Sequence, residues 1–91
     1  MPSGATVVRG YFDPLRASHA ERLAACVRPL AVIVVDPSRP LLPLAARQLL
    51  VAALRCVDAV VEDGVATEDW TAEDLELRRQ FIEHVHARSK A

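Results

Sequence analysis

Residues 10–19, GYFDPLRASH, gather a glycine, an aspartate before proline, an arginine and a histidine into one short stretch. These residue types can hold an anion. Glycine lets backbone N–H groups come close to a ligand, while arginine and histidine donate hydrogen bonds to oxyanions. The stretch follows a β-branched run, Ala5 to Arg9, and leads into a helical pattern, so it forms a turn facing a helix N-terminus, where free N–H groups and the dipole favour negative charge. His19 and Arg16 are the stretch's candidate donors to an oxyanion. Gly10 serves backbone geometry, and Asp13 before Pro14 is suited to bonding the turn's own backbone.

The elements that must position this turn alternate regularly. After the first strand, Ser18 and Glu21 have capping-box spacing for a helix with Ala20, Leu23, Ala24 and Val27 on one face. Leu30 to Val35 is a continuous apolar run, the mark of a strand buried on both sides, and it ends at Asp36, a residue placed to cap the loop or meet a ribose or metal. A proline-rich connection, DPSRPLLP, precedes a helix with Ala46, Leu49, Leu50, Ala53 and Leu54 at i, i+3, i+4, i+7, i+8. Val57 to Val61 reads as a third strand. Thr71 with Asp74 suggests a second capping box, with Trp70 and Leu75 as its hydrophobic staple, and Leu75, Leu77, Phe81, Ile82 and Val85 as the docked face of a last helix.

The order βαβαβα implies parallel strands with right-handed crossovers: an α/β, three-layer Rossmann-like half-fold with a short sheet of three strands, order 3-2-1, flanked by helices. Ligands in such sheets sit beyond the carboxyl ends of the strands, which is where the decapeptide lies. A three-strand sheet leaves strand one as an open edge, which predicts partial cover by the last helix and association of two chains as a homodimer.

"VVRGYFDPLRASHAERL" resembles the G-x-F-D-x-x-H-x-G-H opening of the cytidylyltransferase-like nucleotidyltransferases, among them heptose-phosphate adenylyltransferases and glycerol-3-phosphate cytidylyltransferase. "SRPLLPLAARQLLVAALRCVDAVVEDG" resembles their R-P-x-x-P-x-x-x-R, alanine/leucine helix and V-D-x-V-V strand. The resemblance runs from residue 5 to about residue 64, and residues 65–91 diverge from it. It implies a HUP-type fold and transfer of NMP from CTP or ATP, carried with magnesium, to a phosphorylated sugar or alcohol, with release of pyrophosphate. The second histidine of the motif is His19; Arg16 stands in place of the first, and Ser18 in place of the glycine between them. The resemblance implies catalytic roles for His19 and Arg16 and nucleotide or phosphate binding by Gly10, Tyr11, Phe12, Asp13 and Ser18. Arg47 and Asp58 fall on family positions and read as polar anchors of the structure.

The family's second half has no counterpart among these 91 residues, so the chain is expected to be a single truncated, degenerate domain. The leading expectation is a module with a residual nucleotide- or phosphate-binding loop and impaired transfer, used for binding or assembly. One alternative is a minimal nucleotidyltransferase completed by a second subunit, and another is a purely structural interaction protein.

Composition narrows the remaining classes. With 11 Lys and Arg against 12 Asp and Glu, the net charge of −1 gives no footing for nucleic acid or an anionic membrane. No apolar run is long enough to span a bilayer and the start lacks signal-peptide character, so a cytoplasmic protein is expected. Cys26 and Cys56 read as small core residues rather than a disulfide. His84 and His86, two apart on a helix, point to different sides, and no metal site or tightly bound cofactor is expected.

Overall fold

The computed structural model describes residues 4–89, with side chains to residue 85. The elements are β1 (Thr6–Gly10), α1 (Ala17–Ala24), β2 (Leu30–Val34), α2 (Leu44–Ala52), β3 (Ala59–Val61), β4 (Glu68–Asp69) and α3 (Thr71–Ser89). They form an α/β Rossmann-like half-fold around one parallel sheet of order β3-β2-β1-β4. No helix among the described residues is long and apolar enough to cross a membrane.

β2 is central because every residue of LAVIV is apolar and each is buried. One face of the sheet carries Val8, Leu30, Val32 and Val34, which pack with Phe12, Leu23 of α1, Val51 of α2 and Trp70. The other face carries Val7, Ala31 and Ile33, with Val35 and Val61 against them. Cys26 and Cys56 are free thiols packed against the first cluster, and burial pushes the Cys26 thiol upward.

β1 is not an edge. Val8 and Arg9 pair with Glu68 and Asp69, Thr67 N–H donates to Val7 O at 2.8 Å, and Trp70 N–H donates to Arg9 O at 2.7 Å. The expected three-strand sheet therefore has a fourth strand, held mainly by backbone hydrogen bonds. Those bonds fix where α3 starts. Asp69 accepts from Thr71 N–H and its hydroxyl, which hold its carboxyl below the usual range, and α3 leaves from the carboxyl end of β1.

Two helix faces differ from the sequence reading. In α2 the buried residues are Arg47 and Val51, while Leu49 is 72% exposed and Leu50 46%. Arg47 sets that rotation: it is fully buried, and it donates to Leu42 O at 3.0 Å, Tyr11 O at 2.9 Å and Val35 O at 2.8 Å, and also to Asp36. The guanidinium thus satisfies carbonyls just past the ends of β1 and β2, an unmet need that outweighs one turn of leucines. In α1 the N-cap is Arg16, not Ser18, and Val27 lies beyond the helix and is exposed. His19 Nδ1 accepts the Arg16 N–H at 2.9 Å, doing the work expected of a Ser18 and Glu21 box.

Candidate functional site

Gly10 ends β1, and the next two residues turn sharply. Phe12 has φ of 48°, a left-handed conformation that costs a non-glycine residue free energy. Its ring holds it there, fully buried, edge-on to the His19 ring with centroids 5.1 Å apart and 6.2 Å from the Trp70 ring. The turn aims the N–H groups of Tyr11 and Phe12 in one direction, as an anion cradle requires.

An anion already sits there. The Asp74 carboxylate, from the first turn of α3, accepts at Oδ2 from Tyr11 N–H at 2.8 Å and Phe12 N–H at 3.2 Å. Its Oδ1 lies 2.6 Å from His19 Nε2. Because His19 Nδ1 accepts the Arg16 N–H, the ring proton is on Nε2 and is donated to Asp74. Both side chains are almost wholly buried, at 3% exposure or less. A Cβ on Gly10 would stand 2.6 Å from Asp74 Oδ2, so the position admits only glycine while the carboxylate is in place.

The remaining candidates are distributed around this contact. Arg16, half-buried at the start of α1, turns its guanidinium toward α3, donating to Leu77 O at 3.3 Å and lying 5.9 Å from the centre of the Phe81 ring. Ser18 is exposed on the first turn of α1 and borders a groove shared with Arg22, Glu73, Glu76 and Leu77. Tyr11 offers its N–H to Asp74 and its carbonyl to Arg47. Asp13, 3% exposed, faces away from the cradle and accepts from Leu41 N–H at 2.7 Å and Leu42 N–H at 2.9 Å. Asp36 pairs with Arg47 at the end of β2. The structure thus brings Gly10, Tyr11, Phe12 and His19 together, and directs Arg16, Asp13 and Ser18 elsewhere.

Asp74 is the residue that sequence reasoning placed wrongly, as a partner in a capping box with Thr71. A signal for it exists. Trp70, Asp74, Leu77, Arg78 and Phe81 follow i, i+4, i+7, i+8, i+11, one face of a helix, and all are buried or half-buried. A carboxylate four residues after a buried tryptophan must also be buried and must find donors. Leu75, the expected staple, is 50% exposed.

One carboxylate engages the whole cradle, Asp74 Oδ2 taking the two N–H groups and Oδ1 the histidine. Among the described residues no group of three or more His, Cys, Asp or Glu side chains is placed to hold a metal ion, and the His86 side chain lies outside those described. Comparison with known proteins returns no match, whether against family models, curated proteins or solved structures.

Proposed function

We propose that this chain is a cytidylyltransferase-like module that binds or assembles with partners and does not transfer nucleotides in this form, because its phosphate cradle is held by its own Asp74. The reading rests on the GYFDPLRASH motif at the carboxyl end of β1. The observation that carries it is the buried Asp74 carboxylate seated on Tyr11 N–H, Phe12 N–H and His19. An internal carboxylate in place of a substrate anion gives α3 a fixed seat and removes the charge-neutralising groups from solution chemistry. Arg16, which a transferase would aim at the same phosphates, instead ties α1 to α3.

The test is to add inorganic phosphate, CTP and ATP with magnesium to the wild type and to Asp74→Ala, following the amide resonances of residues 10–19. Pyrophosphate release is assayed in parallel with phosphorylated sugars and glycerol 3-phosphate. The wild type is expected to show no saturable shift and no pyrophosphate, while Asp74→Ala gains phosphate-dependent shifts at Tyr11 and Phe12. Pyrophosphate release by the wild type overturns the reading, as does phosphate binding to it as strong as to the variant.

A further inference from the structure

Arg16, His19 and Arg22 follow i, i+3, i+6 at the start and along one side of α1, and α3 engages all three. His19 Nε2 donates to Asp74. Arg22 donates to Glu73, with its guanidinium 4.0 Å from the centre of the ring of Trp70, the residue just before α3. Arg16 donates to Leu77 O and lies over the Phe81 ring, and with Gln80, Phe81 and His84 it lines a groove where the two helices meet. Trp70 itself is packed in the core, so it is the fixed root from which α3 leaves.

The three contacts are unequal. His19 and Arg22 each meet a carboxylate, whereas Arg16 forms no ion pair among the described residues. Its half-buried guanidinium donates one hydrogen bond there, at 3.3 Å, to a neutral carbonyl, although the group carries five donors. A permanent charge so poorly matched is open to a better acceptor. The cradle beside it shows the complement: its donors are matched, but by a carboxylate that α3 brings. One helix therefore both fills the seat and holds aside the nearest cation, whose own N–H sets the His19 ring.

We infer that α3 is an intramolecular strap that regulates the cradle. Docked, it seats Asp74 and keeps Arg16 on Leu77 and Phe81; pivoting away from Trp70, it clears the two N–H groups and His19 and frees Arg16 in one movement, leaving a site for inorganic phosphate or a phosphate monoester. The inference rests on the reading of the cradle given above and adds its regulation. Apparent affinity for phosphate is then the intrinsic affinity multiplied by the fraction of molecules with α3 undocked. Asp74→Ala is a different state, because it empties the seat while Arg16 stays on α3.

The test loosens α3 away from the cradle, in the full chain, with Phe81→Ala, Glu73→Ala and the double variant. Hydrogen exchange of the α3 amides gives the opening constant, and inorganic phosphate is titrated against the amide resonances of residues 10–19. Phe81→Ala is expected to raise opening about tenfold and Glu73→Ala up to about threefold, with the two effects multiplying in the double variant. Phosphate-dependent shifts at Tyr11 and Phe12 appear with Asp74 still in place, affinity rises across the variants in proportion to opening, and phosphate in turn speeds α3 exchange. Adding Arg16→Gln to Phe81→Ala lowers phosphate affinity, corrected for the opening constant of that same variant, by about tenfold, but changes that of Asp74→Ala less than about twofold. Retained protection of the β2 amides shows that the body of each variant is folded.

Unchanged α3 exchange in the double variant overturns the strap, as does looser α3 without gain in phosphate affinity, or an Arg16→Gln effect equal in the two backgrounds. Phosphate binding by Asp74→Ala reads the cradle alone, so the strap can fail while the occupied cradle stands.

Discussion

Asp13 and Asp74 are both buried, and each seats its carboxylate on two consecutive backbone N–H groups. Their surroundings differ. Asp13 holds Leu41 and Leu42 of the proline-rich loop, and its countercharge is Arg78, whose buried Nε lies 3.4 Å from Oδ2 without a hydrogen bond. Asp74 holds the turn after β1, and its third partner is a histidine whose proton is directed by the Arg16 N–H. One carboxylate belongs to the turn and fastens a loop. The other arrives from a distant helix and sits on a turn that the buried Phe12 ring also holds in place. A cradle built by residues 10–19 is therefore expected to keep its shape when Asp74 is removed, whereas the Asp13 contact is part of what shapes the loop.

The largest expected effect breaks the second of these seats. Asp74→Ala leaves the buried Phe12 N–H, the half-buried Tyr11 N–H and the buried His19 Nε2 without an acceptor, a loss of about 3–5 kcal/mol in urea unfolding. Because the seat itself survives, formate added at about ten times its dissociation constant should return about 1.4 kcal/mol to this variant and nothing to the wild type. Loss without rescue would mean that the turn collapses when Asp74 leaves, and the contrast with Asp13 would disappear.

Asp13→Ala is the matched experiment, with a smaller loss of about 2 kcal/mol, since Leu41 is exposed and Leu42 half-buried and water reaches their N–H groups. Here formate should not help, because the loop that forms the seat is released with the carboxylate. Equal rescue of both variants would erase the distinction between a seat that is preformed and one that is not.

This difference also explains how much of the molecule was legible in the sequence. β1, β2 and β3 and their order follow from three apolar runs separated by helical patterns, since burial on both faces demands such runs. β4 has no such signal: Glu68 and Asp69 have poor strand preference, and their place is set by backbone bonds to β1. The face of α2 was misread because counting leucines ignored Arg47, the group with the most acceptors to satisfy. The glycine turn and His19 were visible as an anion seat. The anion was not, because local spacing made Asp74 look like a cap, and only the long-range pairing of β4 carries it to Gly10.

Asp58 completes the series as the exposed case and gives the smallest effect. It too accepts a backbone N–H, from Leu30 at 2.7 Å, and its countercharge is Arg28, but a third of its side chain is open to water. The Arg28 guanidinium, and then the Leu30 N–H, pull its carboxyl from the ordinary 3.8 to about 2. A carboxyl depressed in the folded state adds stability above its unfolded value and loses it as pH falls through the folded one, so its contribution fades between about pH 4 and pH 2. Asp58→Asn should make the acid limb of the stability curve shallower in that window while changing stability at pH 7 only slightly, as solvent screening of an exposed pair requires. If the variant instead lost as much at pH 7 as Asp13→Ala does, seating on a backbone N–H would matter more than burial, and the ordering of the three carboxylates would have to be drawn from hydrogen-bond count alone.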